Sequence, residues 1–203
     1  MRDDWVSPWW QAVNLPRVWN VCGVAVPSLS VWHTFALENI GNRYLCGGRQ
    51  DPTQDDAASL LLIAKLDMRG GQRLIACDNY RTRETTRLYR RLRKVDAGAL
   101  DVACREYVET CTRGVSRWNR SGKKCAVPYQ FHIVRQMADF GITVDDAWNT
   151  PYALARCYHD AAAEVSGDDS IMDPRAQEME DNWDDYKDST ETQQVILSQP
   201  SPN

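Results

Sequence analysis

Cys157 and His159 stand two residues apart in the run Pro151-Tyr-Ala-Leu-Ala-Arg-Cys-Tyr-His159, a short way behind the carboxylate pair Asp145-Asp146. A thiol, an imidazole and two carboxylates are the parts from which a nucleophilic or acid–base centre is built. The spacing works against that chemistry, because two residues that far apart on a helix diverge by about 200°. Asp145-Asp146 and a second pair, Asp55-Asp56, fall where helices begin, so their charges complement the N-terminal dipole. Cys104 and Cys111 are seven apart, on one helical face but about 10 Å from each other by helical rise, too far to hold one ion together. Zinc sites use Cys or His pairs at closer spacing, which this chain lacks. His33 and His132 have apolar neighbours and read as packing residues. The glycine pairs in Cys46-Gly47-Gly48-Arg49 and Arg69-Gly70-Gly71-Gln72-Arg73 match neither a Walker nor a dinucleotide-binding pattern and read as helix ends. The expectation is therefore a protein with no catalytic residues, no metal and no cofactor.

The elements that carry these residues are mostly helical. Of 203 residues, 43% are hydrophobic and eight are Trp, enough for one core. The longest apolar patch, residues 58–66, is far too short to span a bilayer. The first ten residues lack the basic and apolar regions of a secretory signal. Seven cysteines without a pairing rhythm suggest reduced thiols, so no disulfides and a cytoplasmic setting are expected.

Three regions are expected. Residues 1–27 form a Trp-rich arm with a short strand or β-hairpin near Val18–Val26. Residues 28–166 form a compact domain of about six helices. Residues 167–203 form an acidic flexible tail, with a short helix near 174–186. Within the domain, Ser28 or Ser30 caps a helix whose Val31, Trp32, Phe35, Ala36 and Ile40 recur at helical spacing, before Gly41 ends it. Residues 45–52 read as a loop. Thr53 and Asp56 make a capping box for a helix to about Met68, and Gly70-Gly71 ends it. An Arg-rich helix over 72–95 follows, and Asp96 then caps a helix from 97 to about 113. A helix from Pro128 stops at Gly141, and Thr143 with Asp146 starts a short one. Pro151 interrupts there, because the residue before a proline avoids helical geometry, and a last helix runs to about Val165. The run from Asp145 to Asp160 thus encodes an angle between two helices, with Trp148 in the core.

Charge is unevenly spread. Between residues 69 and 94 nine basic residues face Asp78 and Glu84, whereas between 160 and 191 twelve acidic residues face Arg175 and Lys187. A basic helix of this kind can bind phosphates, and Arg81, Arg83, Arg87, Arg90, Arg91 and Arg93 are the candidate contacts to nucleic acid or to an acidic partner. No helix-turn-helix, RRM or zinc-finger pattern accompanies it.

Two stretches together carry a family resemblance. One is Val26-Pro-Ser-Leu-Ser-Val-Trp-His-Thr-Phe-Ala-Leu-Glu-Asn-Ile40, followed by a Gly-containing gap and Asp55-Asp-Ala-Ala-Ser-Leu-Leu-Leu-Ile-Ala64. The other is Pro128-Tyr-Gln-Phe-His-Ile-Val134, then Asp146-Ala-Trp-Asn-Thr-Pro-Tyr-Ala-Leu-Ala155 and Gly167-Asp-Asp-Ser170. In this order, over roughly residues 18–170, the chain resembles the tail assembly chaperones of tailed bacteriophages and prophages. The resemblance implies a non-enzymatic helper in virion morphogenesis that acts in the host cytoplasm. It would bind the tape measure protein, with the tail tube protein as a further partner, and could form a homo-oligomer. Trp9, Trp10, Trp32 and Trp148 are the candidate partner contacts, since excess Trp can offer grooves to amphipathic helices. The alternatives are a nucleic-acid-binding accessory protein using the Arg-rich helix 73–94, and a virion structural piece such as a head–tail connector.

Overall fold

The computed structural model describes residues 8–47, 50–113 and 127–167. Among these the fold is mostly α, with ten helices and one two-stranded hairpin. A short helix α1 (Pro8–Val13) begins at a proline, which costs nothing in a first turn where the N–H has no intrahelical partner. The antiparallel hairpin follows as β1 (Trp19–Val21) and β2 (Val24–Val26), with Trp19 opposite Val26. Its two-residue turn, Cys22-Gly23, has φ of 49° and 80°. Positive values of this kind are what a tight hairpin twist requires. Residues 1–7, with Trp5, and the expected acidic tail beyond residue 167 lie outside the described residues.

The helices then run as α2 (Val31–Asn39), α3 (Arg43–Cys46), α4 (Gln54–Ala64), α5 (Met68–Ala76) and α6 (Asp78–Leu92). They continue as α7 (Ala97–Thr112), α8 (Tyr129–Asp139), α9 (Val144–Asn149) and α10 (Tyr152–Val165). The starts expected from side-chain caps are found: Ser30, Thr53, Asp96 and Thr143 each accept a backbone N–H from the helix they open.

Two expectations are corrected. The stretch 45–52 is not wholly loop, because Asn42 caps the single turn α3; its buried amide also donates to Asp56 O at 2.8 Å and Ser59 Oγ at 2.9 Å. The expected Arg-rich helix over 72–95 is two helices. Cys77 lies in extended geometry between them, and Gly70-Gly71 sits inside α5 rather than closing α4. Asp67 causes the early start, since its carboxylate accepts from Gly70 N at 2.7 Å and so caps α5. A cap of this type satisfies an N–H that the first turn leaves without an intrahelical partner. These extra turns and the split raise the helix number above the expected six.

The buried side chains form two clusters. The first joins Val21, Val24 and Val26 of the hairpin to Leu37 of α2, Leu60 and Leu61 of α4, Leu92 of α6 and Tyr107 of α7. The second joins Val31 of α2 to Ile133 and Met137 of α8, Trp148 of α9 and Ala155 of α10. Helix α2 thus contributes to both. Its entry is also clamped to the α9–α10 junction: Val31 N donates to Thr150 O at 3.1 Å, and Tyr152 N donates to Leu29 O at 2.8 Å. These two bonds flank an antiparallel bridge between Ser30 and Pro151.

Candidate functional site

The side chains that shape an apolar groove between α2, α4 and α5 start at the cap of α2. Ser30 accepts from His33 N, and the His33 ring reaches back to accept Ser30 N–H on Nδ1 at 2.9 Å. Since Nδ1 is an acceptor there, the ring proton is on Nε2. That nitrogen donates to Leu66 O at 2.5 Å. His33 is buried, and that burial lowers its pKa below the usual value, although the Leu66 bond and the Asp67 charge pull the other way. A neutral imidazole thus pins the start of α2 to the end of α4.

With α2 held in this way, Trp32, Phe35, Ala36, Asn39 and Ile40 share one face at helical spacing. That face lines a cavity of about 510 Å³, walled opposite by Leu62 and Ile63 of α4 and Leu74 of α5. Arg81 of α6 stands at its rim. The lining is otherwise almost wholly apolar, and Ile40 is 56% exposed. Trp32 forms the floor against Gly71. A Cβ on Gly71 would lie 2.5 Å from Trp32 Cζ2, so only glycine lets the indole seat there. Among the described residues the buried Trp32 Nε1 has no hydrogen-bond acceptor.

The four tryptophans named as partner contacts are separated by the fold. Trp148 is buried, 5.5 Å from Phe35 and 5.1 Å from Phe131 by ring centroids, and supports the groove from behind. Trp32 meets Phe35 at 6.4 Å and belongs to the groove itself. Trp9 is half-buried and Trp10 is 65% exposed on α1, which packs against α10.

The arginines of α6 lie in the open. Arg83, Arg87 and Arg90 share an outer face, and Arg91 and Arg93 are exposed beside it. Arg81 pairs with Asp78, and Arg87 pairs with Glu84 at 2.9 Å; Arg83, Arg90, Arg91 and Arg93 make no ion pair among the described residues. On α5, Arg73 lies 4.9 Å from the Tyr80 ring across the Cys77 break. At that distance the guanidinium and the ring face attract as a cation–π pair.

Three of the thiols are placed for packing, whereas Cys46 and His132 are exposed. Burial pushes the thiols of Cys111 and Cys157 up to about 11 and that of Cys104 up to about 12. That is away from the thiolate that nucleophiles and metal ligands need. His159 turns its Nδ1 to Gln136 Oε1, and its ring meets Tyr129 in a T-shaped contact at 5.1 Å between centroids. Asp55 accepts from Tyr89 Oη, and Asp145 pairs with Arg69 at 2.8 Å. Among the described residues no group of three His, Cys, Asp or Glu is arranged to hold a metal. No described helix is long and apolar enough to cross a membrane.

Set against protein-family models, curated proteins and solved structures, the chain matches none. The apolar stripe of α2 was legible in the sequence, but its role was not. It reads as core, and Gly71, Leu74 and Ile63, which turn it into a groove, carry no local signal of that role.

Proposed function

We propose that this protein is a non-enzymatic binding protein that receives an amphipathic helix of a larger partner in the α2–α4–α5 groove. The groove is the observation that carries the reading. Its size falls within the roughly 300–1,000 Å³ of sites that bury a ligand, and its spaced apolar lining suits the i, i+3, i+4 and i+7 anchors of a helix. Bacteriophage tail assembly chaperones, which the sequence resembles, are helpers of this kind. In that role the partner is the tape measure protein, a long helical chain kept soluble in the host cytoplasm, with the tail tube protein as its neighbour in assembly. Trp32 is then the floor contact, while Trp148 acts by holding Phe35 in place.

The test is co-expression with the tape measure protein of the same genome, followed by affinity capture. A soluble complex is expected. Ile40→Glu, a change at a side chain already more than half exposed, should reduce capture about tenfold or more while leaving the melting temperature within a few degrees. A tape measure protein that stays insoluble, or a complex indifferent to Ile40→Glu, would overturn the reading.

The exposed arginines of α6, four of which make no ion pair among the described residues, favour nucleic-acid binding as a second reading. It predicts a DNA affinity that falls steeply with salt and is lost in the Arg83→Glu/Arg87→Glu/Arg90→Glu variant. No DNA shift at low salt would remove it.

A further inference from the structure

The chain contains its own candidate occupant for the groove. Beyond α10, Met172, Ala176, Met179, Trp183 and Tyr186 recur at intervals of four, three, four and three, the spacing of one helical face. Asp173-Pro174 precedes most of them, a capping residue followed by a proline at the first helical position. Glu178, Glu180, Asp181, Asp184, Asp185 and Asp188 fill the positions between and just after them. The spacing is that of a helix with one apolar face, two of whose anchors are aromatic, and an acidic remainder.

The groove offers the complementary surfaces. Its lining is apolar and Arg81 stands at its rim; Arg83, Arg87 and Arg90 lie on the outer face of the same helix, with Arg91 and Arg93 exposed beside it, and add long-range positive potential rather than contacts in the groove. Most of those arginines lack an ion-pair partner among the described residues.

Chain length permits the docking. Helix α10 packs against α2, and its first residue, Tyr152, is bonded to Leu29 O at 2.8 Å, just ahead of Trp32 and the α2 face that lines the groove. A segment leaving Gly167 must therefore travel back about the length of α10, about 20 Å at about 1.5 Å per residue. Residues 168–173 cover about 20 Å when extended.

We propose that residues 174–188 of this chain dock as an acidic amphipathic helix in the α2–α4–α5 groove, with Met179, Trp183 and Tyr186 inserted and the carboxylates drawn there by the positive potential of α6, whose Arg81 stands at the rim. This rests on the groove being a helix-receiving site, and makes the chain its own competitor for the partner. A groove occupied about 90% of the time weakens the apparent affinity for a partner helix about tenfold.

The test uses the full chain with the photo-cross-linker p-benzoylphenylalanine in place of Trp183, irradiated alone. Cross-links to peptides within 32–40, 59–63 or 71–74, at monomer mass, are expected. Their yield should fall severalfold when salt is raised from about 0.05 to 0.5 M, and in the Arg83→Glu/Arg87→Glu/Arg90→Glu variant, whose exposed substitutions leave the core intact. Cross-links confined to other regions, products at dimer mass, or no cross-link at all would each overturn the proposal. Full-length Met179→Glu should bind the partner about tenfold more tightly, and an unchanged affinity would show that the segment does not compete. The cross-link needs no partner, so its failure leaves the partner-binding reading standing, and a failed co-expression leaves the cross-link result standing.

Discussion

At the residue scale, His33 decides more than its position in an apolar run suggests. Its two ring nitrogens have opposite duties: Nδ1 must accept from Ser30 N–H, and Nε2 must donate to Leu66 O. Only a neutral ring does both, because protonation would set a donor against the Ser30 donor. Its folded-state pKa lies below the usual 6.5, so the stability it contributes is whole above that pH and drains away as pH falls through 6.5 toward the folded value. Thermal melts of the wild type and of His33→Gln between about pH 8 and 5 should show this. The wild type should be the more stable at pH 8, and the gap should narrow on acidification; a constant gap would exclude the neutral-ring account. Cys157 and His159 show the reverse. They look like a pair in sequence, yet the ring bonds to Gln136 and the thiol is held protonated by burial.

At the element scale, the contact between α2 and α5 turns on one absent methyl group. In Gly71→Ala the new Cβ would press on the Trp32 indole at 2.5 Å. Overpacking of this kind typically costs about 1–3 kcal/mol. Alanine also returns about 1 kcal/mol of helix propensity, so a modest fall in melting temperature is expected, with a larger loss of partner binding as Trp32 shifts. A rise in melting temperature would show that the indole moves aside freely. Helix boundaries with side-chain caps were legible, since Ser30, Thr53, Asp96 and Thr143 act within three residues of themselves. The hairpin was legible in place, near Val18–Val26, though its Cys22-Gly23 turn was not singled out. The split at Cys77 was not; what α5 meets across the fold at its other end, Trp32 over Gly71 and Asn149 Oδ1 accepting from Met68 N at 3.2 Å, was equally invisible in the local sequence. Asp67 was the available clue to the early start of α5, and the two glycines after it obscured that clue. The groove was hidden for the same reason, as each wall reads locally as core.

At the scale of the whole molecule, two buried clusters share α2, through Leu37 on one side and Val31 on the other. Leu37→Ala removes apolar volume from the first cluster only, at a cost of about 2–5 kcal/mol. Because α2 must be in place for both, the loss should appear as one transition, with hydrogen exchange at 133–137 and at 57–61 accelerating together. Separate midpoints would mean that the clusters fold as independent units. The charge map also acts at this scale. Positive charge on α6 and negative charge beyond residue 167 belong to one chain, so salt should alter any binding through the groove even where the contacts are apolar.

The clamp that joins Leu29–Val31 to Thr150–Tyr152 connects residues about 120 positions apart. On a ribosome adding about 5–20 residues per second, the later half of that clamp is made roughly 6–24 s after the earlier half. For that interval Val31 and the apolar face of α2 lack part of their support, and a nascent chain with an open hydrophobic surface is prone to wrong associations. The bridge from Ser30 to Pro151 therefore sets a timing requirement as well as an angle: the α2 end of the groove acquires its final backing only once the chain has been synthesised past α9.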